Sequence, residues 1–239
     1  MDYDDIAEEY LKAQEEFYKT RPDIPTELII DKLEVYPGRE YRLLELGCGK
    51  GNIQVLNRKY IEGEYIGIDR SGRMLPTKRS GTSRMKIPDE RGGFSEFSTE
   101  LHYCFYQLDF DEGLPFKSGD IDRVFSRYAL HYSRNLNPLF GEISRVLKPK
   151  GRVVAVVAHP VLGFELKKEK DYWKNEEVEV VLYDGAVKIV EPTHTFQEYW
   201  DAFAKNRFKI ISQEESSHNA NLESKLRVPD YYFFVLEKE

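Results

Sequence analysis

The sequence predicts a doubly wound α/β fold built on a mostly parallel sheet. Short apolar strands alternate with helical segments from residue 41 onward. Arg152–Ala158 is a near-continuous apolar run, the pattern of a strand covered on both faces. A glycine turn, Gly47-Cys-Gly-Lys-Gly51, directly follows the first strand, where such sheets bind ligands.

Residues 4–19 place Ile6, Tyr10, Leu11, Phe17 and Tyr18 at helical spacing, which predicts an amphipathic helix. Pro22 and Pro25 break the chain. A second short helix is expected over 26–36, capped by Thr26. Strands follow at 41–46 and 64–69, with a helix from Asn52 to about Tyr60 between them. The segment 77–102 is rich in Ser, Gly, Arg and Lys and reads as a long mobile loop with some helix. Strands are expected at 103–108 and 121–126. A helix opens at Asn137-Pro138, with Asn137 as its cap, and runs to Leu147. Lys148-Pro-Lys-Gly151 is a tight stop before the apolar strand. Residues 178–190 read as a β-hairpin turning on Asp184-Gly185. A helix over 195–206 and two late strands, 208–213 and 231–236, complete the chain.

Hydrophobic residues are 41% of the 239, enough for a core, so collagen-like and wholly disordered chains are excluded. A formal charge of -7 argues against a chain that mainly coats nucleic acid. Two cysteines, Cys48 and Cys104, build no disulfide framework and fit a reducing compartment. The acidic start is not that of a signal peptide, and the longest apolar run is far short of the ~20 residues that span a bilayer. The expectation is a soluble cytoplasmic protein with no membrane partner.

Three ligands compete for the glycine turn. A dinucleotide wants G-x-G-x-x-G, but Gly51 comes one place early. A P-loop wants G-x-x-x-x-G-K-[ST], but Leu44 stands at the first glycine and Gly51 follows Lys50. S-adenosylmethionine has no phosphates. It needs room beside bare backbone and a carboxylate for its ribose hydroxyls. Asp69, ending the second strand, supplies that carboxylate. A helix cap is the plainer role for a strand-terminal Asp.

Glu45-Leu-Gly-Cys-Gly-Lys-Gly51, Ile66-Gly-Ile-Asp69, Leu108-Asp109-Phe110, Phe125-Ser126 through Leu130-His131, and Glu142-Ile-Ser-Arg-Val-Leu-Lys-Pro-Lys-Gly151 together resemble a class I S-adenosylmethionine-dependent methyltransferase. The chain is most similar to the group called methyltransferase type 11, well over 41–158 and weakly at the late strands. The resemblance implies a Rossmann-like, seven-stranded, mostly parallel sheet with an antiparallel last strand, Tyr231–Leu236. Residues 1–40 are expected as an N-terminal helical lid and 41–239 as the domain, with a substrate-side insert at about 160–194. By the resemblance, Gly47, Cys48 and Gly49, with Gly51 completing the loop, line the methionine part of the cofactor. Glu45 orients the loop or holds a water near the cofactor's amino group. Asp69 binds ribose, with Arg70 and Met74 near ribose and adenine. Asp109 accepts from the adenine amino group beside Phe110, and Ser126 presents backbone to the methionine moiety. The connection after Asp69 is longer than the family's, and Pro149-Lys150-Gly151 replaces its usual Pro-Gly-Gly.

Other residues carry competing readings. Cys48 lacks the partners of a nucleophile, and Cys104 reads as core. The five histidines show no metal spacing. His131 and His159 follow strands and are candidates to overlook the transferred methyl; a hydrogen-bonded structural histidine is the alternative for each. The basic stretch 70–91 is a solvated loop or a contact for an anionic substrate or RNA. Tyr3, Tyr10, Phe17 and Tyr18 are a lid or ordinary packing. The acceptor pocket is expected between the N-terminal helix, the end of the fourth strand and the insert 160–194, which carries Phe164, Tyr172, Trp173, the hairpin and His194; core packing of the insert is the alternative for those aromatics. Ser126-Arg-Tyr-Ala129 departs from the [D/N/S]-P-P-[Y/F] signature of amino methyltransferases acting on bases. The expected function is methyl transfer to a small molecule. The alternatives are RNA or protein methylation, a non-catalytic cofactor-binding protein, and a nicotinamide oxidoreductase.

Overall fold

A computed structural model describes residues 3–88, 94–216 and 229–239. One eight-stranded sheet organises the chain, in the order β3-β4-β2-β1-β5-β6-β10-β9. Its centre is β1 (Glu40–Leu46), parallel to β2 (Glu62–Asp69) on one side and to β5 (Ile121–Arg127) on the other. β6 (Leu147–Ala158) runs parallel to β5. β10 (Tyr231–Lys238) lies antiparallel between β6 and β9 (Phe208–Glu215). The reversed last strand is therefore as expected.

The eighth strand comes from the segment read as a loop. β3 (Ser80–Pro88) pairs antiparallel with β4 (Phe94–Gln107), which pairs parallel with β2. An edge strand has little to bury, so Thr82, Ser83 and Arg84 form it without an apolar signature; arginine and hydroxyl side chains also suit an unpaired edge.

Side chains alternate across each strand, so β1 feeds two cores. Leu44 and Leu46 join one core with Phe140, Phe203 and Phe234. Leu43 joins the other with Tyr65, Phe125 and Ile29. The first core is covered by α4 (Leu136–Val146) and α6 (Phe196–Lys205). Leu136, Leu139, Phe140, Ile143 and Val146 recur at helical spacing along α4 and are all buried. α6 starts on a capping box made by Thr195 and Glu198.

Several boundaries differ from the sequence reading. α2 spans Ile24–Lys32, and its cap is Asp23, not Thr26. Asp23 accepts from the Thr26 backbone N–H at 3.2 Å and the Thr26 hydroxyl at 2.9 Å, so the acid outcompetes the hydroxyl as acceptor. α3 is only Ile53–Asn57, and Tyr60 turns left-handed with φ 51°. α4 is capped by Asn135, which accepts from Asn137 N–H at 3.2 Å. Residues 148–151 form an irregularity inside β6, between the pairs Ile121–Leu147 and Arg123–Arg152. The hairpin of β7 (Glu177–Leu182) and β8 (Val187–Pro192) forms its own two-stranded sheet. Its loop holds four residues, because pairing ends at Leu182–Val187. Among the described residues no helix is long and apolar enough to cross a membrane.

Candidate active site

A cavity of about 750 Å³ opens at the carboxyl ends of β1, β2 and β5, within the usual ~300–1,000 Å³ of ligand sites. One end is the glycine loop. Gly47 and Gly51 have φ of 70° and 79°, and neither has room for a side chain. A Cβ on Gly47 would lie 2.1 Å from the Ala129 Cβ; one on Gly51 would lie 2.5 Å from the Phe105 ring. These two glycines therefore let the loop pack against the sheet. At Gly49, with φ 51°, the nearest atom to an added Cβ is the Met74 methyl at 3.9 Å. Gly49 therefore leaves its space to a ligand.

Asp69 ties the loop to β2. One carboxylate oxygen accepts from Gly49 N–H and the other from Ser71 N–H, both at 2.9 Å. Burial raises its pKa, and these two N–H donors oppose that rise. Glu45 lies beneath the loop at 1% exposure. It accepts from the Tyr65 hydroxyl and, at 2.5 Å, from the Asn52 amide. Burial pushes its pKa up to about 8, against the pull of those hydrogen bonds. Burial likewise raises the Cys48 thiol, which keeps it from acting as a thiolate.

The other end of the cavity is aromatic. α1 (Tyr3–Lys19) lies across it. The Tyr3 hydroxyl donates to that of Tyr132 at 2.6 Å. Tyr10 and Phe17 set their rings 5.3 and 5.5 Å from Tyr183 of the hairpin loop. Arg127 enters from β5. It donates to the Tyr18 hydroxyl at 2.7 Å and pairs with Asp23 at 3.3 Å. Burial opposes its charge, but Tyr18 and Asp23 outweigh burial and hold it protonated.

Of the expected cofactor residues, Glu45, Gly47, Cys48, Gly49, Gly51, Asp69, Arg70, Met74, Asp109 and Phe110 all line this cavity. Asp109 also caps a 3-10 turn, accepting from Asp111 N–H at 3.0 Å. Ser126 does not line it. Its side chain is fully buried and donates to the Leu46 carbonyl at 2.8 Å. His131 lines the cavity and His159 does not. His159 caps the short helix α5 (Pro160–Leu166), accepting from Val161 N–H at 3.2 Å, and faces Glu215 at 3.1 Å.

The insert reaches the cavity through its hairpin, as expected, but not through the four side chains expected beside it. Phe164, Tyr172, Trp173 and His194 are absent from the wall; Leu162, Val180–Asp184, Ile189 and Glu191 form it. Trp173 is 74% exposed, in a loop whose carbonyls at Asp171 and Lys174 bind the buried Lys167 ammonium at 2.9 and 2.7 Å. His194 lies 2.9 Å from the Ser133 carbonyl. Sequence reasoning does not find Asn52, Arg127, Tyr132 or Glu191. Period-2 alternation of Val187, Ile189 and Glu191, all buried on one face of β8, is the signal that marks Glu191 as inward. Among the described residues no group of three His, Cys, Asp or Glu is placed to hold a metal ion.

Residues 44–155 match the family model of a methyltransferase domain. A malonyl-[acyl-carrier protein] O-methyltransferase of Methylovorus sp. (strain MP688) is 30% identical over 142 residues, covering 59% of this chain and 45% of that protein. The chain thus matches less than half the length of that relative. Among solved structures, an S-adenosylmethionine dependent methyltransferase from Mesorhizobium loti aligns with a TM-score of 0.62 and 18% identity. That alignment covers 89% of this chain and 96% of that one. The [4+2]-cyclase SpnF aligns with a TM-score of 0.57 and 17% identity, over 89% and 80%. The fold is therefore shared with proteins of different chemistry.

Proposed function

From a chain that carries a class I S-adenosylmethionine-dependent methyltransferase domain, we infer that the whole protein transfers a methyl group to a small molecule held under α1. The observation that carries this reading is the pairing of Gly49 N–H with Asp69 at the mouth of a cavity whose far end is roofed by tyrosines.

The residues present fit the cofactor. Gly49 offers open space beside main chain, and Asp69 keeps lone pairs for two ribose hydroxyls. Asp109 and Phe110 wall the adenine side; Glu45 holds Asn52 and steadies the loop. S-adenosylmethionine, when bound, supplies an electrophilic methyl on sulfur. The protein's share is alignment and exclusion of water. Water is excluded by α1, where Tyr3, Tyr10 and Phe17 close the cavity against Tyr132 and Tyr183. A roofed cavity favours a small acceptor over an RNA or protein chain. Two free cysteines fit a reducing compartment such as the cytoplasm.

Calorimetry tests the reading. S-adenosylmethionine is expected to bind with one site per chain, and NADH is not. Binding of NADH alone overturns it. Formation of S-adenosylhomocysteine over a panel of acceptors separates an enzyme from a non-catalytic binder.

A further inference from the structure

A buried acid–imidazole pair joins the hairpin to the turn after β5. Glu191 and His131 are 6% and 4% exposed, and both line the cavity. Ala158 N–H points at His131 Nδ1 at 3.4 Å, which assigns the ring proton to Nε2. Nε2–H then donates to Glu191 Oε2 at 3.2 Å. The Tyr132 ring packs on the imidazole at 4.4 Å and fixes its plane. Among the described residues no hydrogen bond holds Glu191 Oε1, and no Lys or Arg pairs with the carboxylate. Tyr3, whose hydroxyl donates to that of Tyr132 at 2.6 Å, lines the same cavity as Asp69 and Glu191.

Resting on the methyl-transfer reading above, we propose that Glu191 is the general base for a planar, neutral acceptor bearing a phenolic or enolic hydroxyl, and that His131 positions it. The bond changes balance. The acceptor O–H bond breaks and its proton goes to Glu191. The oxygen's electron pair forms the new O–C bond to the methyl carbon. The C–S bond breaks with its pair kept on sulfur, giving a neutral thioether. A buried carboxylate and a buried sulfonium are the charges at the start; neither survives. Losing both is worth most where water is excluded, which is what the aromatic roof provides. A neutral amine attacks through its own lone pair and needs no base for the new bond to form, and a carboxylate acceptor sets a second anion beside Glu191 and needs no base either. The rings of Tyr3, Tyr10, Tyr132 and Tyr183 suit a flat partner.

The test uses the full chain with catechol, benzoate and benzylamine, three aromatic probes of similar size. Binding is read by calorimetry in the presence of S-adenosylhomocysteine, and methylation is read with labelled S-adenosylmethionine. Catechol is expected to bind and to be methylated; benzoate and benzylamine are not. Glu191→Gln keeps cofactor and catechol affinity within about twofold, while kcat drops about 10²-fold or more and the acid limb of the pH profile disappears. Glu191→Asp restores part of that limb. His131→Gln, which keeps an N–H donor, is expected to retain more kcat than His131→Phe at equal KM for the cofactor. Unchanged kcat and pH profile in Glu191→Gln overturns the proposal. So does methylation of benzoate or benzylamine in preference to catechol, or of none of the three. Failure of the wild-type chain to bind S-adenosylmethionine sinks the methyltransferase reading instead.

Discussion

The two ends of the cavity are built in different ways. The end proposed for the cofactor is main chain: a glycine loop whose Gly49 N–H binds the Asp69 carboxylate, with its turns packed against Ala129 and Phe105. The acceptor end is side chains: rings and charges from α1, β5 and the hairpin that meet only after folding. A main-chain site is set by a few consecutive residues and tolerates few changes. A side-chain site can change its occupant by single substitutions while the frame stands. That difference suits an enzyme class with one cofactor and many acceptors.

Titration separates the two ends most strongly. Glu45 has its pKa raised from 4.5 to about 8. The native state then binds the extra proton, so stability is full below pH 4.5 and is lost as pH rises through about 8. The loss is on the order of 4–5 kcal/mol, one pKa unit being about 1.4 kcal/mol. His194, beside the acceptor end, has its pKa lowered by burial, with Glu198 and the Ser133 carbonyl opposing. Its contribution is present above pH 6.5 and is lost as pH falls from there to the lowered native value. Urea unfolding across pH 5 to 9 is expected to show both slopes, and Glu45→Gln is expected to flatten only the alkaline one. If Glu45→Gln leaves the alkaline slope intact, the buried acid under the loop is not its source.

Gly47→Ala comes next. Its Cβ would overlap Ala129, so stability is expected to fall by about 3 kcal/mol, from overpacking together with left-handed backbone. The double variant with Ala129→Gly should regain the steric share, measured as a double-mutant cycle. No recovery would mean that the loop's conformation, not its contact with the sheet, is what Gly47 serves.

Asp69→Asn keeps the shape and removes the charge. Cofactor affinity is expected to weaken by about 1.5–3 kcal/mol, the worth of charge-assisted hydrogen bonds, as read by calorimetry. A similar loss of catechol affinity would blur the division between the ends.

The smallest expected effect lies in the roof. Tyr183→Phe removes the hydrogen bond from the Gln14 amide to the Tyr183 hydroxyl, 3.2 Å, and the hydroxyl–hydroxyl bond with Tyr10, and keeps the ring contacts with Tyr10 and Phe17. Proteolytic cleavage in α1 should quicken by a few-fold, matching about 1 kcal/mol. Unaltered cleavage would show that ring packing alone holds α1 down.

The cofactor end is legible because its cues are local. Gly47, Gly49 and Gly51 stand together in sequence, and Asp69 ends the next strand, so spacing alone brings them to one place. Ser126 is absent from the cavity wall, and its hydroxyl donates to the Leu46 carbonyl inside the sheet. His159 departs too, because a residue just before a helix is recruited as its cap.

The sequence by itself determined the sheet's central strands, the glycine loop, its acid partner and the reversed last strand. The strands, the loop and its acid follow from periodicity and turn chemistry within short windows, and the reversal of the last strand from the resemblance carried by the motifs. Tertiary structure alone decided that Ser80–Pro88 adds an edge strand, that Arg127 enters the cavity from β5, and that Glu191 meets His131 across 60 residues of chain. Such meetings depend on how distant segments pack. No single window of residues carries them.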